Sequence, residues 1–207
     1  MSKPRFQRLI LKTVLMGDGA VGKTALRQRY LGRGFKSTYM TTVGADFAVK
    51  TIKVQYKGER TIEFQIWDLA GQPRFQAVRG LYYKGCKAGL LCFDISRRET
   101  MENLEGWYTE AKKHNQDEVI PVIVVANKID LRSTLLGTIT QKEGLNFAEN
   151  LREKTDNTMI KYFETSAKTG ENVDEVFRVL GRMNLEYIEK TKGPLKNIGL
   201  NLQSKTD

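Results

Sequence analysis

The octapeptide "GDGAVGKT", Gly17 to Thr24, constrains this chain more than any other feature, because it joins an apolar run of strand length to a helical pattern. It fits G-x-x-x-x-G-K-[ST]. In that pattern, glycines let successive backbone N–H groups wrap a phosphate chain at a helix start, where the helix dipole favours anions. Gly17, Asp18, Gly19, Ala20, Val21 and Gly22 would form the cradle, and Lys23, Thr24 and Ala25 open the helix. The Lys23 ammonium suits the β- and γ-phosphates, and the Thr24 hydroxyl suits Mg²⁺. By itself the loop does not separate a nucleoside triphosphatase from a small kinase.

The remaining sequence alternates strand and helix. "RLILKTVLM" reads as the first strand and "KTALRQRYLGRG" as a helix closed by Gly32 or Gly34. "ADFAVKTIKVQY" alternates with period two and turns through "KGER" into "TIEFQIWDL", a hairpin signal. "AGLLCFDIS" and "VIPVIVVANKID" are continuous apolar runs, as expected of parallel strands covered on both faces. "MIKYFETSAK" supplies the last strand and "NVDEVFRVLGRMNLEYIEK" the last amphipathic helix. This order predicts an α/β P-loop NTPase. Its sheet would be doubly wound, six-stranded and mostly parallel, with one antiparallel strand, helices on both faces and ligands at the strands' carboxyl ends. The expected organisation is a basic extension over 1–8, a single domain over 9–191 and a flexible tail over 192–207.

Charge and composition narrow the partners. The net charge is +10, but Lys3, Arg5, Arg8 and Lys12 carry +4, and the last stretch, Lys190 to Asp207, carries +3. What is left across the body is too little for a nucleic-acid groove, so no nucleic-acid partner is expected. Basic ends give at most a weak, salt-sensitive contact with a membrane surface. No run reaches the ~18 apolar residues of a transmembrane helix. The apolar start runs straight into the glycine loop without a cleavage site, and Ser2 excludes N-myristoylation. Cys86 and Cys92 have neither metal-ligand spacing nor a disulfide count, so small buried residues in a reducing cytosol are expected. His114, the only histidine, reads as a surface or capping residue.

Two tetrapeptides at strand ends select the base. In "NKID", the Asp130 carboxylate can accept from both the N1 and N2 donors of guanine, an edge that adenine lacks. Asn127 and Lys128 would brace the base and the phosphate loop. In "TSAK", Ser166, Ala167 and Lys168 would complete the base pocket, the Ala167 N–H and Lys168 facing the ring. Their order behind a P-loop points to GTP or GDP, and Asp130 speaks against an ATP-using kinase.

With "TTVGADF", "EFQIWDLAGQPRF" and "YYKGCKAG", the chain resembles a small GTPase of the Ras superfamily and is most similar to the Rab family, in unbroken order from about Leu9 to Lys190. That resemblance implies a molecular switch that is loaded with GTP and Mg²⁺, turned off by hydrolysis, and met by effectors, activating proteins and exchange proteins. It further implies that Phe35 packs against the guanine and Tyr39 closes over the phosphates. Thr42 would bind Mg²⁺ and the γ-phosphate, Asp68 would hold Mg²⁺ through water, and the Gly71 N–H would grip the γ-phosphate. Gln72 would orient the attacking water, beside a Gly19 whose missing side chain leaves room. Lys23, Thr42, Gly71 and Gln72 are thus the implied catalytic set. Phe47, Trp67 and Tyr82 match the aromatic triad that Rab proteins present to effectors. As an aromatic in a strand, Trp67 suits core and partner surface equally. G-alpha relatives carry an arginine three residues before the Mg²⁺-binding threonine, where this chain has Tyr39, so intrinsic hydrolysis is expected to be slow.

Three departures qualify the resemblance. No cysteine follows Cys92 to carry a prenyl group, so a monomeric cytoplasmic protein, at most peripheral at a membrane, is expected. The segment between "NKID" and "TSAK" is several residues longer than usual, and "LNFAENLREKTDNT" would extend a helix. Pro73 replaces the usual glutamate and biases Gln72 away from the α region. Since misplacing a water-orienting group by ~1 Å costs on the order of 10²-fold, a module that binds GTP or GDP with little hydrolysis is the alternative.

Overall fold

The computed structural model describes residues 8–34, 42–116 and 118–195. Phe35, Tyr39, most of the basic N-terminal extension and most of the C-terminal tail fall outside them. Six strands, β1 (Leu9–Met16), β2 (Ala45–Gln55), β3 (Glu59–Leu69), β4 (Ala88–Asp94), β5 (Val122–Asn127) and β6 (Ile160–Thr165), form one sheet in the order β2-β3-β1-β4-β5-β6. All neighbours are parallel except β2 and β3, which pair antiparallel from Ala45–Leu69 to Gln55–Glu59. Lys57 and Gly58, both at positive φ, reverse the chain between them.

The continuous apolar runs are explained by two cores, one on each face of the sheet. Side chains alternate along a strand, so Leu11, Leu90, Cys92, Ile123 and Val125 face one cluster. Val14, Met16, Leu91, Phe93, Val122 and Val124 face the other. The first core is closed by α1 (Lys23–Tyr30) and α6 (Val173–Lys192). The second is closed by α2 (Gln76–Tyr83), α4 (Leu104–His114) and α5 (Gln141–Thr155), with the short α3 (Arg98–Glu102) leading into α4. Cys86 and Cys92 are buried and free.

The extended segment before β6 is α5, set by a capping box in which the Thr140 hydroxyl accepts from the Glu143 N–H and the Glu143 carboxylate accepts from the Thr140 N–H. Among the described residues, no helix is long and apolar enough to cross a membrane.

Phe177 on α6 is central to the first core. Its ring stacks on Tyr30 of α1 at 3.6 Å and meets Phe64 of β3 edge-on at 5.6 Å. Phe177→Ala is therefore expected to cost about 3–5 kcal/mol of stability. Urea unfolding followed by circular dichroism measures this, and a loss below about 1 kcal/mol would contradict the packing role.

Candidate functional site

The phosphate loop runs from the end of β1 into α1 and is held from several sides. Gly17 takes φ 128°, and a Cβ there would run into the Cys92 carbonyl of β4. Gly71 after β3 packs so closely on Asp18 and Gly19 that a Cβ would strike their backbone. Lys23 is buried, and its ammonium donates to the carbonyls of Gly17 at 2.5 Å and Asp18 at 2.8 Å. Burial lowers its pKa, opposed by the nearby Asp68 carboxylate. The Asp18 carboxylate accepts from Asn103 Nδ2 at 2.7 Å and from Trp107 Nε1 at 2.8 Å, tying the loop to α4.

The "NKID" and "TSAK" segments meet this loop through Asn127 at the end of β5. Its Nδ2 donates to the Val21 carbonyl at 2.9 Å, while its Oδ1 accepts from Thr165 Oγ1 at 3.2 Å and the Ala167 N–H at 3.1 Å. Ser166 Oγ donates to Asp130 at 2.6 Å, and the Lys168 ammonium lies 3.8 Å from the other Asp130 oxygen. Arg29 of α1 clamps the carbonyls of Ala167 and Lys168. Lys128 does not reach the loop directly. Its ammonium donates to Asp94 at 2.6 Å, and Arg97, itself 3.3 Å from that carboxylate, donates to the Gly19 carbonyl at 2.8 Å. Burial would raise the Asp94 carboxyl, but hydrogen bonds from Lys128 and Ser96 override it and hold the pKa below the usual value.

Thr24, Thr42 and Asp68 draw together. The two hydroxyl oxygens are 2.8 Å apart. Asp68 is fully buried, neither carboxylate oxygen has a hydrogen-bond partner of normal geometry, and burial pushes its pKa up against the opposing pull of the neighbouring Thr24 hydroxyl and of Lys23 and Arg27. A buried carboxylate without a donor is costly, and two hydroxyls beside it complete a hard oxygen donor set, so these residues fit Mg²⁺. Two cations act on this carboxylate, the Lys23 ammonium and Arg27, whose Nε lies 3.8 Å from Asp68 Oδ2.

Gln72 lies against Gly19: a Cβ on Gly19 would stand 3.8 Å from both Gln72 Cγ and Nε2. Its backbone is extended, φ −76° and ψ 143°, and a 3₁₀ turn from Pro73 to Phe75 follows, as the restriction before proline requires. The Gln72 Oε1 is buried without a partner. Behind it, Arg79 of α2 makes two 2.8 Å bonds to Glu110, sits 4.0 Å over the Trp107 ring, and points a third nitrogen at the Gln72 carbonyl, 3.4 Å away. On the adjoining surface, Trp67 lies between Phe47 at 4.8 Å and Tyr82 at 5.5 Å, half-buried and thus both packed and presented. His114 is exposed and stacks on Tyr83.

The site residues that motif reasoning did not single out are Arg27, Arg79, Asp94, Arg97, Asn103 and Trp107. Each acts through a partner distant in sequence, and no local pattern announces such a pairing.

Comparison with known proteins shows the family. The family model described as "Ras: Ras family" matches residues 12–186. The chain is similar to Ras-related protein Rab-7a of Dictyostelium discoideum, 36% identical over 180 residues covering 85% of this chain and 83% of the relative. It is also similar to RABG3a of Arabidopsis thaliana, 35% identical over 182 residues, 86% of this chain and 84% of the relative. Rab7 of Drosophila melanogaster is 34% identical over 184 residues, 87% of this chain and 83% of the relative.

Because Asp94 has a depressed pKa when folded, its contribution is present above the unfolded value and lost as pH falls through the folded one. Asp94→Asn is expected to destabilise at pH 7 by about 1–3 kcal/mol. The gap to wild type should narrow as pH falls below about 4, the ordinary range for Asp. Urea midpoints across pH 3–7 test this, and a gap that did not change with pH would refute it.

Proposed function

Since the chain belongs to the Ras family, as a Rab-like small GTPase, we propose that it is a guanine-nucleotide switch that converts GTP and water to GDP and phosphate with Mg²⁺ and presents its phosphate-sensing loops to effectors. The observation that carries this reading is the Asn127 bridge, which joins the guanine-accepting Asp130 and the phosphate loop in a single pocket. In that pocket Asp130 accepts from the guanine N1 and N2 donors, and Lys168 lies along the ring. The backbone N–H groups of 17–24 and the Lys23 ammonium take the phosphates. A polyanion there also favours the charged form of Lys23, which burial opposes.

Thr24, Thr42 and, through water, Asp68 would hold Mg²⁺, which supplies neutralisation of the phosphate oxygens. Gln72 orients the water that attacks the γ-phosphorus, in the space that Gly19 leaves open, while Gly71 N–H and Thr42 grip the γ-phosphate. Phe35 and Tyr39 would cover the base and phosphates.

Hydrolysis is slow without an activating protein. In Ras and G-alpha proteins themselves, an arginine at the phosphates is worth about 10³–10⁵ in rate, and Tyr39 stands where G-alpha carries it. Effectors meet Phe47, Trp67, Tyr82 and the loops around Thr42 and Gln72, and an exchange protein reloads the monomeric switch. Trafficking or signalling is the cellular setting that goes with a Rab-like chain, with no nucleic acid involved. A second reading, a binding module with little hydrolysis, draws on the extended Gln72 backbone before Pro73 and its unpartnered Oε1.

Single-turnover GTP hydrolysis separates the readings. Gln72→Leu is expected to lower the rate by about 10²-fold and Pro73→Glu to raise it; no loss from Gln72→Leu would leave only the binding module. Asp130→Asn tests the base assignment. Losing a charged acceptor of about 1.5–3 kcal/mol should weaken GDP binding roughly ten- to hundred-fold. Unchanged affinity by fluorescent GDP titration would remove guanine from the reading.

A further inference from the structure

Arg27 sits three residues after Thr24 on the same face of α1, and its side chain is almost fully buried. It reaches into the β2–β3 hairpin where Asp46 and Asp68 stand directly opposite one another, so that their side chains share one face. The guanidinium divides itself unequally between the two carboxylates. One terminal nitrogen bonds Asp46, which is largely exposed. The Nε points at Asp68 but stops at 3.8 Å, and neither it nor the Asp68 oxygens make a hydrogen bond. The buried Nε and the Asp68 carboxylate thus face each other at 3.8 Å without a hydrogen bond, while another nitrogen of the same guanidinium is engaged by Asp46.

We propose that Arg27 is an internal competitor for Mg²⁺. It neutralises part of the charge of Asp68, so it sets how much free Mg²⁺ the loaded protein needs to retain its nucleotide, and Asp46 sets how far it competes. This rests on the guanine-nucleotide and Mg²⁺ reading above and adds a positioning residue to it. A unit cation a few ångströms from a divalent site disfavours the metal in a poorly solvated setting. Removal of Arg27 therefore tightens Mg²⁺ binding. Removal of the Asp46 charge frees the guanidinium to close on Asp68 and loosens it. Arg27 thereby shortens the residence time of GDP whenever Mg²⁺ is limiting, since nucleotide and metal leave together.

The test loads the full chain with a fluorescent GDP and follows its release against free Mg²⁺ buffered with EDTA. Arg27→Leu is expected to move the half-point to about ten-fold lower free Mg²⁺. Arg27→Lys, which keeps the charge, should stay near wild type. Asp46→Asn should move the half-point several-fold higher, and that shift should vanish when combined with Arg27→Leu. A purely structural arginine would make Arg27→Leu and Asp46→Asn change release in the same direction, which would overturn the proposal. So would an Asp46→Asn shift that persists without Arg27. If Arg27→Leu does not fold, Asp46→Asn decides by itself: a half-point at or below that of wild type overturns the proposal. Wild-type protein that binds no GDP, or releases it at a rate indifferent to Mg²⁺, would instead overturn the underlying reading.

Discussion

Both ends of the Asn127 amide are used, and the rest of the pocket depends on that bifunctionality. An amide carries donors and an acceptor in one plane, so one side chain can pull on the Val21 carbonyl while receiving Thr165 and Ala167. Three segments far apart in the chain are thereby held at one register at the carboxyl edge of the sheet. Leucine at this place would fill the volume but leave the Val21 carbonyl and the Ala167 N–H without partners, each a desolvation penalty of about 1–3 kcal/mol. The arrangement works because β5 and β6 are parallel neighbours, which end at the same level and deliver both tetrapeptides side by side.

Around this frame four cations converge, and each is held by a carbonyl or carboxylate. Lys23 is held by loop carbonyls, Arg97 by Asp94 and Gly19, Arg79 by Glu110, and Arg27 by Asp46. Preorganised charge of this kind needs no reorganisation when an anion arrives, which is what makes it effective in a poorly hydrated site.

Much of the fold could be read from the chain. The continuous strands, the hairpin and the glycine loop are local patterns, and covering a sheet on both faces leaves a clear mark as unbroken apolar runs. What could not be read are pairings such as Arg97 with Gly19 or Trp107 with Asp18, 78 and 89 positions apart. An arginine or tryptophan has the same local signature whether it is solvated, packed or holding a loop. Trp67 shows the same limit: core and surface were equally open, and the half-buried stack between Phe47 and Tyr82 combines them. The neighbour effect of Pro73, by contrast, was visible because it acts on the adjacent residue, and Gln72 is extended as that rule requires.

That proline has a consequence for conformational entropy. A residue fixed at one φ, preceded by one confined to extended backbone, leaves the Gln72 loop fewer conformations to lose when the chain folds. Proline at a compatible position is worth about 0.4–1 kcal/mol through the disordered state alone. The extended geometry at Gln72 is thus favoured before any of its contacts is counted.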